Sequence, residues 1–268
     1  MVDQLLSPPI GVSVNLQEYD PEFTDGLKKD NAQTELVTLQ KRLRDLQDIL
    51  YAQRRYAVLV VLQAMDTGGK DGAIKKVFDA VNPMGMHIAN FKAPTPEELA
   101  HDYLWRVHRQ TPPKGYIGVF NRSHYEDVLV ARVDQLVSPE VWEQRYAQIN
   151  DFERLLSENG TVILKFYLHI SKDEQKQRLQ ERLLDPTKHW KFAMGDLAVR
   201  ERWDDYMLAY ADALARCNTE LAPWHIVPAN KKWYRDFVVT RTIVEALEKL
   251  DLHYPAPESG LEAVVIPD

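Results

Sequence analysis

Hydrophobic and polar positions alternate along this chain in two different rhythms, and the switches between them mark its elements. From Asp30 to Arg55 the apolar residues Leu36, Leu39, Leu43, Leu46 and Leu50 recur at steps of three and four, which makes one helix face. Then comes Ala57-Val58-Leu59-Val60-Val61-Leu62, apolar on both faces as a central parallel strand is. A weaker second strand follows at Met86–Phe91, and further strands at Tyr116–Phe120, Thr161–Leu168 and Trp224–Val227. Between them the helical rhythm returns at Lys70–Val81, Glu97–Arg109, Pro139–Leu156, Lys172–Leu184 and Asp196–Arg216, with a last helix over Trp233–Leu250. Alternating β and α units predict a three-layer α/β/α fold around a five-stranded parallel sheet. We read residues 1–30 as an irregular arm, 31–255 as one domain and 256–268 as a tail.

Composition narrows the picture. The balance of 45% hydrophobic and 27% charged residues is globular, and a net charge of −7 argues against a coat for nucleic acid or an anionic membrane. Any anionic ligand therefore needs a local positive site. The one cysteine, Cys217, allows no internal disulfide and reads as an incidental small residue. Neither a leader-like start nor a membrane-length apolar run is present, so the cytoplasm is the expected location.

The chemistry begins directly after the first strand, at Ala64-Met65-Asp66-Thr67-Gly68-Gly69-Lys70-Asp71-Gly72, followed by an amphipathic helix. This is the strand–loop–helix context of a phosphate-binding P-loop. Its glycines let backbone N–H groups turn toward phosphate oxygens, and Lys70 adds a full charge to the helix N-terminus. Ala64 replaces the usual first glycine, and Asp71 replaces the usual metal-ligating Ser or Thr. Asp66 inside such a loop would repel phosphates unless a cation lay between them, and Mg²⁺ is the natural choice; a turn former is its competing reading. The third strand ends Asn121-Arg122-Ser123-His124-Tyr125-Glu126-Asp127, at the sheet edge where open α/β folds bind ligands. Asn121 stands where a strand-end acid usually holds the metal shell, so Glu126 or Asp127 is a candidate for the missing charge. Arg122 offers a phosphate-matching fork. Ser123 and Glu126 also fit a capping box. Arg132 faces either the phosphates or a carboxylate. Residues 172–191 hold six basic side chains against four acids, and Arg178 and Arg182 share a helix face with Lys188 and Lys191 beyond Pro186. The bland reading is a solvated charged helix; behind a P-loop it reads as a lid over phosphates, spanning about 172–195.

The segments AMDTGGKDG, FNRSHYEDV and RLQERLLDPTKHWKF, in that order, resemble polyphosphate kinase 2 proteins, in particular the class III branch. The resemblance covers residues 30–250. It implies a thymidylate-kinase-like P-loop fold, Mg²⁺ dependence, inorganic polyphosphate as donor, AMP and ADP (adenine or guanine nucleotides) as acceptors, and homo-oligomers such as dimers or tetramers. Asp66, Lys70 and Arg122 would be catalytic. Thr67, Gly68, Gly69, Asp71, Gly72, Glu126 and Arg132 would meet phosphate or nucleotide, and Asp66, Asn121, Glu126 and Asp127 the metal. Arg178, Arg182, Lys188 and Lys191 would hold polyphosphate. Other branches carry Asp at the position of Asn121 and Asn at that of Glu126, which makes Glu126 a candidate for setting acceptor choice. Direct transfer needs no phosphohistidine, so His124 is expected to be structural. The rival readings are an ATP-dependent nucleoside monophosphate kinase and a non-catalytic polyanion-binding protein.

Overall fold

The computed structural model describes residues 6–267. Residues 1–5 of the expected arm and residue 268 of the tail lie outside the described residues. The long leucine stripe forms α1 (Lys29–Gln53), which buries Leu36, Leu43, Leu46 and Leu50. β1 (Ala57–Gln63) follows with every residue buried. Then come α2 (Lys70–Val77), β2 (Met86–Asn90), two single-turn helices α3 (Pro96–Leu99) and α4 (Trp105–His108), β3 (Ile117–Asn121) and α5 (Val130–Val133). α6 (Pro139–Glu158), β4 (Thr161–His169), α7 (Lys172–Leu184), α8 (Gly195–Glu201), α9 (Trp203–Arg216), β5 (Trp224–Pro228) and α10 (Lys232–Glu248) complete the chain order.

All strand pairs are parallel, and the five strands lie in the order β2-β3-β1-β4-β5. The chain leaves β1 toward one edge and later crosses to the other, so the order reverses beside β1. Ligands of open α/β sheets bind at the carboxyl end of such a reversal. α1 packs against α10, and α10 also reaches α2. The N-terminal arm is irregular apart from a 3-10 turn at Leu16–Glu18, and it buries Leu6 and Leu16 in the core. No helix among the described residues is long and apolar enough to cross a membrane.

Three expected helices are shorter or broken. α2 stops at Val77 because the chain must turn before Pro83, and the residue ahead of a proline avoids helix. The stretch 97–109 breaks in two: Thr95 and Glu98 cap the first turn with a capping box, and Asp102 Oδ1 accepts from the N–H groups of Leu104 (3.0 Å) and Trp105 (3.1 Å) to start the second. The stretch 196–216 breaks at Arg202, whose guanidinium reaches away to the carbonyl of Val133 and to Asp134 (3.1 Å).

Gly118 in the middle of β3 is required by packing. A Cβ there would meet the Cγ and Cδ of Pro112 at 2.8 Å. Gly118→Ala is expected to lower stability by about 1–3 kcal/mol through overpacking, measured as a lower midpoint in urea with an unchanged slope.

Candidate active site

β1 delivers the chain to the carboxyl edge of the sheet, where the loop Ala64–Gly69 turns it into α2. Two consecutive glycines are needed there for different reasons. Gly69 lies at φ 98°, in the left-handed region, and a side chain on it would run into the Arg235 guanidinium. A Cβ on Gly68 would meet Ala64 Cβ at 2.5 Å and the Met65 carbonyl at 2.8 Å. Thr67 also takes a left-handed conformation, φ 63°. The buried Lys70 folds back to donate to the carbonyls of Ala64 (2.8 Å) and Met65 (3.4 Å). Burial lowers its pKa to about 8, with Arg122 pressing the same way and Asp66, Glu126 and Asp71 partly offsetting both.

β3 brings a second group of residues to the same edge. Arg122 continues the ladder by donating its backbone N–H to Leu62 at 3.1 Å, then bends the chain at φ 61°. Its guanidinium donates to Asp66 Oδ1 at 2.7 Å and lies 3.8 Å from Glu126. Asn121 Nδ2 donates to Asp71 Oδ1 at 2.8 Å, so the strand end and the loop helix meet. The turn that follows, His124–Asp127, is 3-10. Ser123 caps it by accepting from the Tyr125 N–H at 3.1 Å, and the expected capping box with Glu126 does not form. Glu126 is left free to face Arg122. Asp127 is taken by Arg145 and does not line the cleft.

Arg132, expected at phosphates or at a carboxylate, is at a carboxylate. It donates to Asp212 at 2.5 Å and to the Tyr146 hydroxyl at 3.2 Å, outside the cleft. The two lid arginines also part company. Arg178 is buried in the middle of α7 and makes four hydrogen bonds: to Thr67 O (3.0 Å), Ala229 O (2.6 Å), Asn230 O (3.1 Å) and Glu174 (2.6 Å). It ties the P-loop to the exit of β5. Arg182, one turn later, donates to Lys191 O at 2.8 Å and lies 3.5 Å from Asp196, facing the cleft. Lys188 and Lys191 stand on the 3-10 turn Pro186–Lys191, exposed along the same rim.

The P-loop, Asn121, Arg122 and the lid cations line a cleft of about 630 Å³ with nine lysine and arginine side chains against four carboxylates; Glu126, expected at nucleotide or metal, is not among the lining residues and reaches the site only through Arg122. That local excess, in a chain of net charge −7, fits a polyanion. Lys92, Lys232 and Arg235 in this lining were not singled out from the sequence. The signal was present: Lys92 lies two residues past β2, and Lys232 and Arg235 open the helix after β5, at the same sheet edge. His124 is fully buried with Nε2 3.1 Å from Glu153, which leaves it no access to a phosphate and makes it structural.

Among the described residues no group of three or more His, Cys, Asp or Glu is arranged to enclose a metal ion. Asp66 and Asp71 nevertheless present carboxylates to the cleft beside the Asn121 amide. That donor set suits a hard cation that keeps waters and takes its other oxygens from bound phosphates.

A glycine-bent loop between a central parallel strand and a helix, opening on a cation-rich cleft, defines the P-loop kinase class of phosphotransferases. Within it, the chain belongs to the polyphosphate kinase 2 family, whose model matches residues 26–255. It is 56% identical over 94% of its length, and 95% of the relative's, to an AMP/ADP-polyphosphate phosphotransferase of Meiothermus ruber. It is 46% identical to an ADP-polyphosphate phosphotransferase of Rhodopseudomonas palustris, covering 91% of this chain and 89% of the relative. The fold is similar to the crystal structure of polyphosphate kinase 2 from Arthrobacter aurescens, with TM-score 0.93 and 47% identity over 97% of this chain and 93% of the other.

The depressed Lys70 gives a pH prediction with a definite sign. Below about pH 8 the free protein carries the charge an anion needs; above it, binding must first take up a proton. Affinity for polyphosphate is expected to fall as pH rises past 8, by at most about tenfold per unit for a single group. Calorimetry in buffers of different ionisation enthalpy should show proton uptake that Lys70→Met abolishes.

Proposed function

We propose that this chain transfers the terminal phosphoryl group of inorganic polyphosphate to AMP and ADP, reversibly and with Mg²⁺. The observation that carries the reading is the cation excess around the P-loop. A similar protein over nearly the full length is named for polyphosphate with AMP and ADP, which supports the choice of substrates.

The chemistry follows from charge. An oxygen of the acceptor's last phosphate attacks the terminal phosphorus of polyphosphate. The P–O bond to the next phosphate breaks, and the donor leaves one unit shorter. The acceptor oxygen is already ionised at neutral pH, so no general base is required. The obstacle is repulsion between two polyanions, and positioned cations lower it. In this reading Lys70 and Arg122 meet the charge that shifts during transfer, and the N–H groups of Thr67–Gly72 cradle the donor phosphates. Arg182, Lys188 and Lys191 hold the remainder of the chain, while Arg178 keeps the loop in shape. Asp66 and Asp71, with Asn121 beside them and Glu126 near Arg122, would hold Mg²⁺. The bound metal would neutralise phosphate charge. Assembly into a dimer or tetramer, one kinase domain over 31–255 and a cytoplasmic location belong to the same reading, on the family resemblance.

The structure separates two arginine variants that helix spacing makes equivalent. Arg182→Ala is expected to raise KM for polyphosphate several-fold with little change for nucleotide, and added salt should imitate it. Arg178→Ala should instead lower kcat and thermal stability together, because three backbone carbonyls and Glu174 lose their partner. Equal KM effects from both would place Arg178 in the polyphosphate path.

Acceptor range tests the proposal as a whole. With polyphosphate and Mg²⁺, AMP should pass through ADP to ATP, each quantified by chromatography over a time course. Glu126→Asn is expected to change the AMP-to-ADP rate ratio more than the polyphosphate KM. Turnover of AMP with ATP but none with polyphosphate would establish the nucleoside monophosphate kinase instead.

A further inference from the structure

Beneath the Arg122 turn lies a charged cluster that the cleft does not touch. Lys165 on β4 and Glu153 on α6 are both inside the core, 0% and 1% exposed, with Nζ 2.6 Å from Glu153 Oε2. Lys165 spends its other two N–H groups on the Tyr125 hydroxyl (2.8 Å) and the Cys217 carbonyl (2.6 Å). Glu153 Oε1 accepts from the Tyr125 hydroxyl at 2.8 Å, and His124 Nε2 lies 3.1 Å from the same oxygen. Tyr125 therefore accepts from the base and donates to the acid at once. Burial alone would raise the Glu153 pKa, but the Lys165 charge and the bonds from His124 and Lys165 hold it below the usual carboxylate range.

Stability does not account for such a cluster. A buried ion pair replaced by well-packed apolar groups of the same volume is commonly neutral or more stable. What apolar packing would not supply is direction. An aromatic ring in an oily pocket can slide, whereas a hydroxyl bonded on both sides fixes its ring in one place. Tyr125 and His124 belong to the turn that has Arg122 at its entry, in a left-handed conformation, and Glu126 within it. Arg145 pins the far end of that turn through the carbonyl and carboxylate of Asp127.

We infer that the Lys165–Glu153–Tyr125 cluster is a positioning device that fixes the strand-exit turn from below and so holds Arg122 against Asp66 at the phosphate site. The inference rests on the proposed role of Arg122 at the transferred phosphoryl group. None of the three residues lines the cleft, so they act only through the turn.

Tyr125→Phe is the incisive variant, because it removes only the shared hydroxyl and leaves the Lys165–Glu153 pair to neutralise itself. Its kcat is expected to fall about tenfold or more, with both KM values within about twofold of wild type. A double-mutant cycle supplies the readout that loosened structure would not mimic. If Tyr125 acts through Arg122, then Arg122→Ala/Tyr125→Phe has the same kcat as Arg122→Ala alone. An unchanged kcat in Tyr125→Phe, or losses that multiply in the double variant, would overturn the inference. Hydrogen exchange of the 122–127 amides in the free protein gives a test independent of turnover. Tyr125→Phe should speed it about tenfold there and not along β1; unchanged exchange sinks the positioning role even if polyphosphate proves to be the donor. Wild-type protein inactive with polyphosphate, yet showing the exchange effect, would count against the substrate reading alone.

Discussion

The ion pair between Arg122 and Asp66, 2.7 Å long, joins the exit of β3 to the exit of β1 and organises the edge at which ligands bind. Both partners are partly exposed, 38% and 20% in their side chains, so the pair contributes about 1 kcal/mol or less to stability. Its weight lies in placement. Asp66 sits in a loop built for anions, and Arg122 cancels its charge before any ligand arrives. Arg122 in turn leaves regular β geometry at φ 61° to reach it. Lys70 is likewise held by protein acceptors, two loop carbonyls that it would give up to meet a phosphate. The pair on Arg122 is the kind of fixed charge placement on which electrostatic catalysis relies.

How much of this was legible depends on whether the deciding contact is local. The strands and the P-loop were, because a run apolar on both faces followed by Gly-Gly-Lys has few other solutions. The helix breaks were not: at Asp102 a side-chain bond to the backbone competes with the hydrophobic period, and at Arg202 the partners, Val133 and Asp134, lie far off in sequence. The split between Arg178 and Arg182 exposes a limit of face arguments. Residues four apart share a face but lie about 6 Å apart along the axis. Here one is in mid-helix, bonded to the carbonyls of Ala229 and Asn230, and the other is out on the rim. Arg132 fails the same way: its partner Asp212 is 80 residues off, and no spacing rule connects them. Lys92, Lys232 and Arg235 were readable by the carboxyl-edge rule, had it been applied to β2 and β5 as it was to β1 and β3.

Burial along the cleft forms a gradient, and the gradient has consequences for a chain substrate. At the loop end the cations are desolvated: Lys70 is buried, and Arg235 is 3% exposed and paired with Asp236 at 2.6 Å. On the rim Lys188 is half exposed and shares its charge with Asp185 at 2.9 Å. Coulomb interaction strengthens severalfold as the surroundings lose water, so identical charges grip harder at the loop than at the rim. On the proposed function, a uniform polyanion in such a field would be held more tightly at the loop than along its length. Shallow, screened contacts at the rim would let the chain advance by one unit after each transfer, since every repeat presents the same oxygens. The loop would fix whichever phosphate arrived there. Registration would then be set by the end that reacts, and a protein of net negative charge would need no basic coat to process a polyanion.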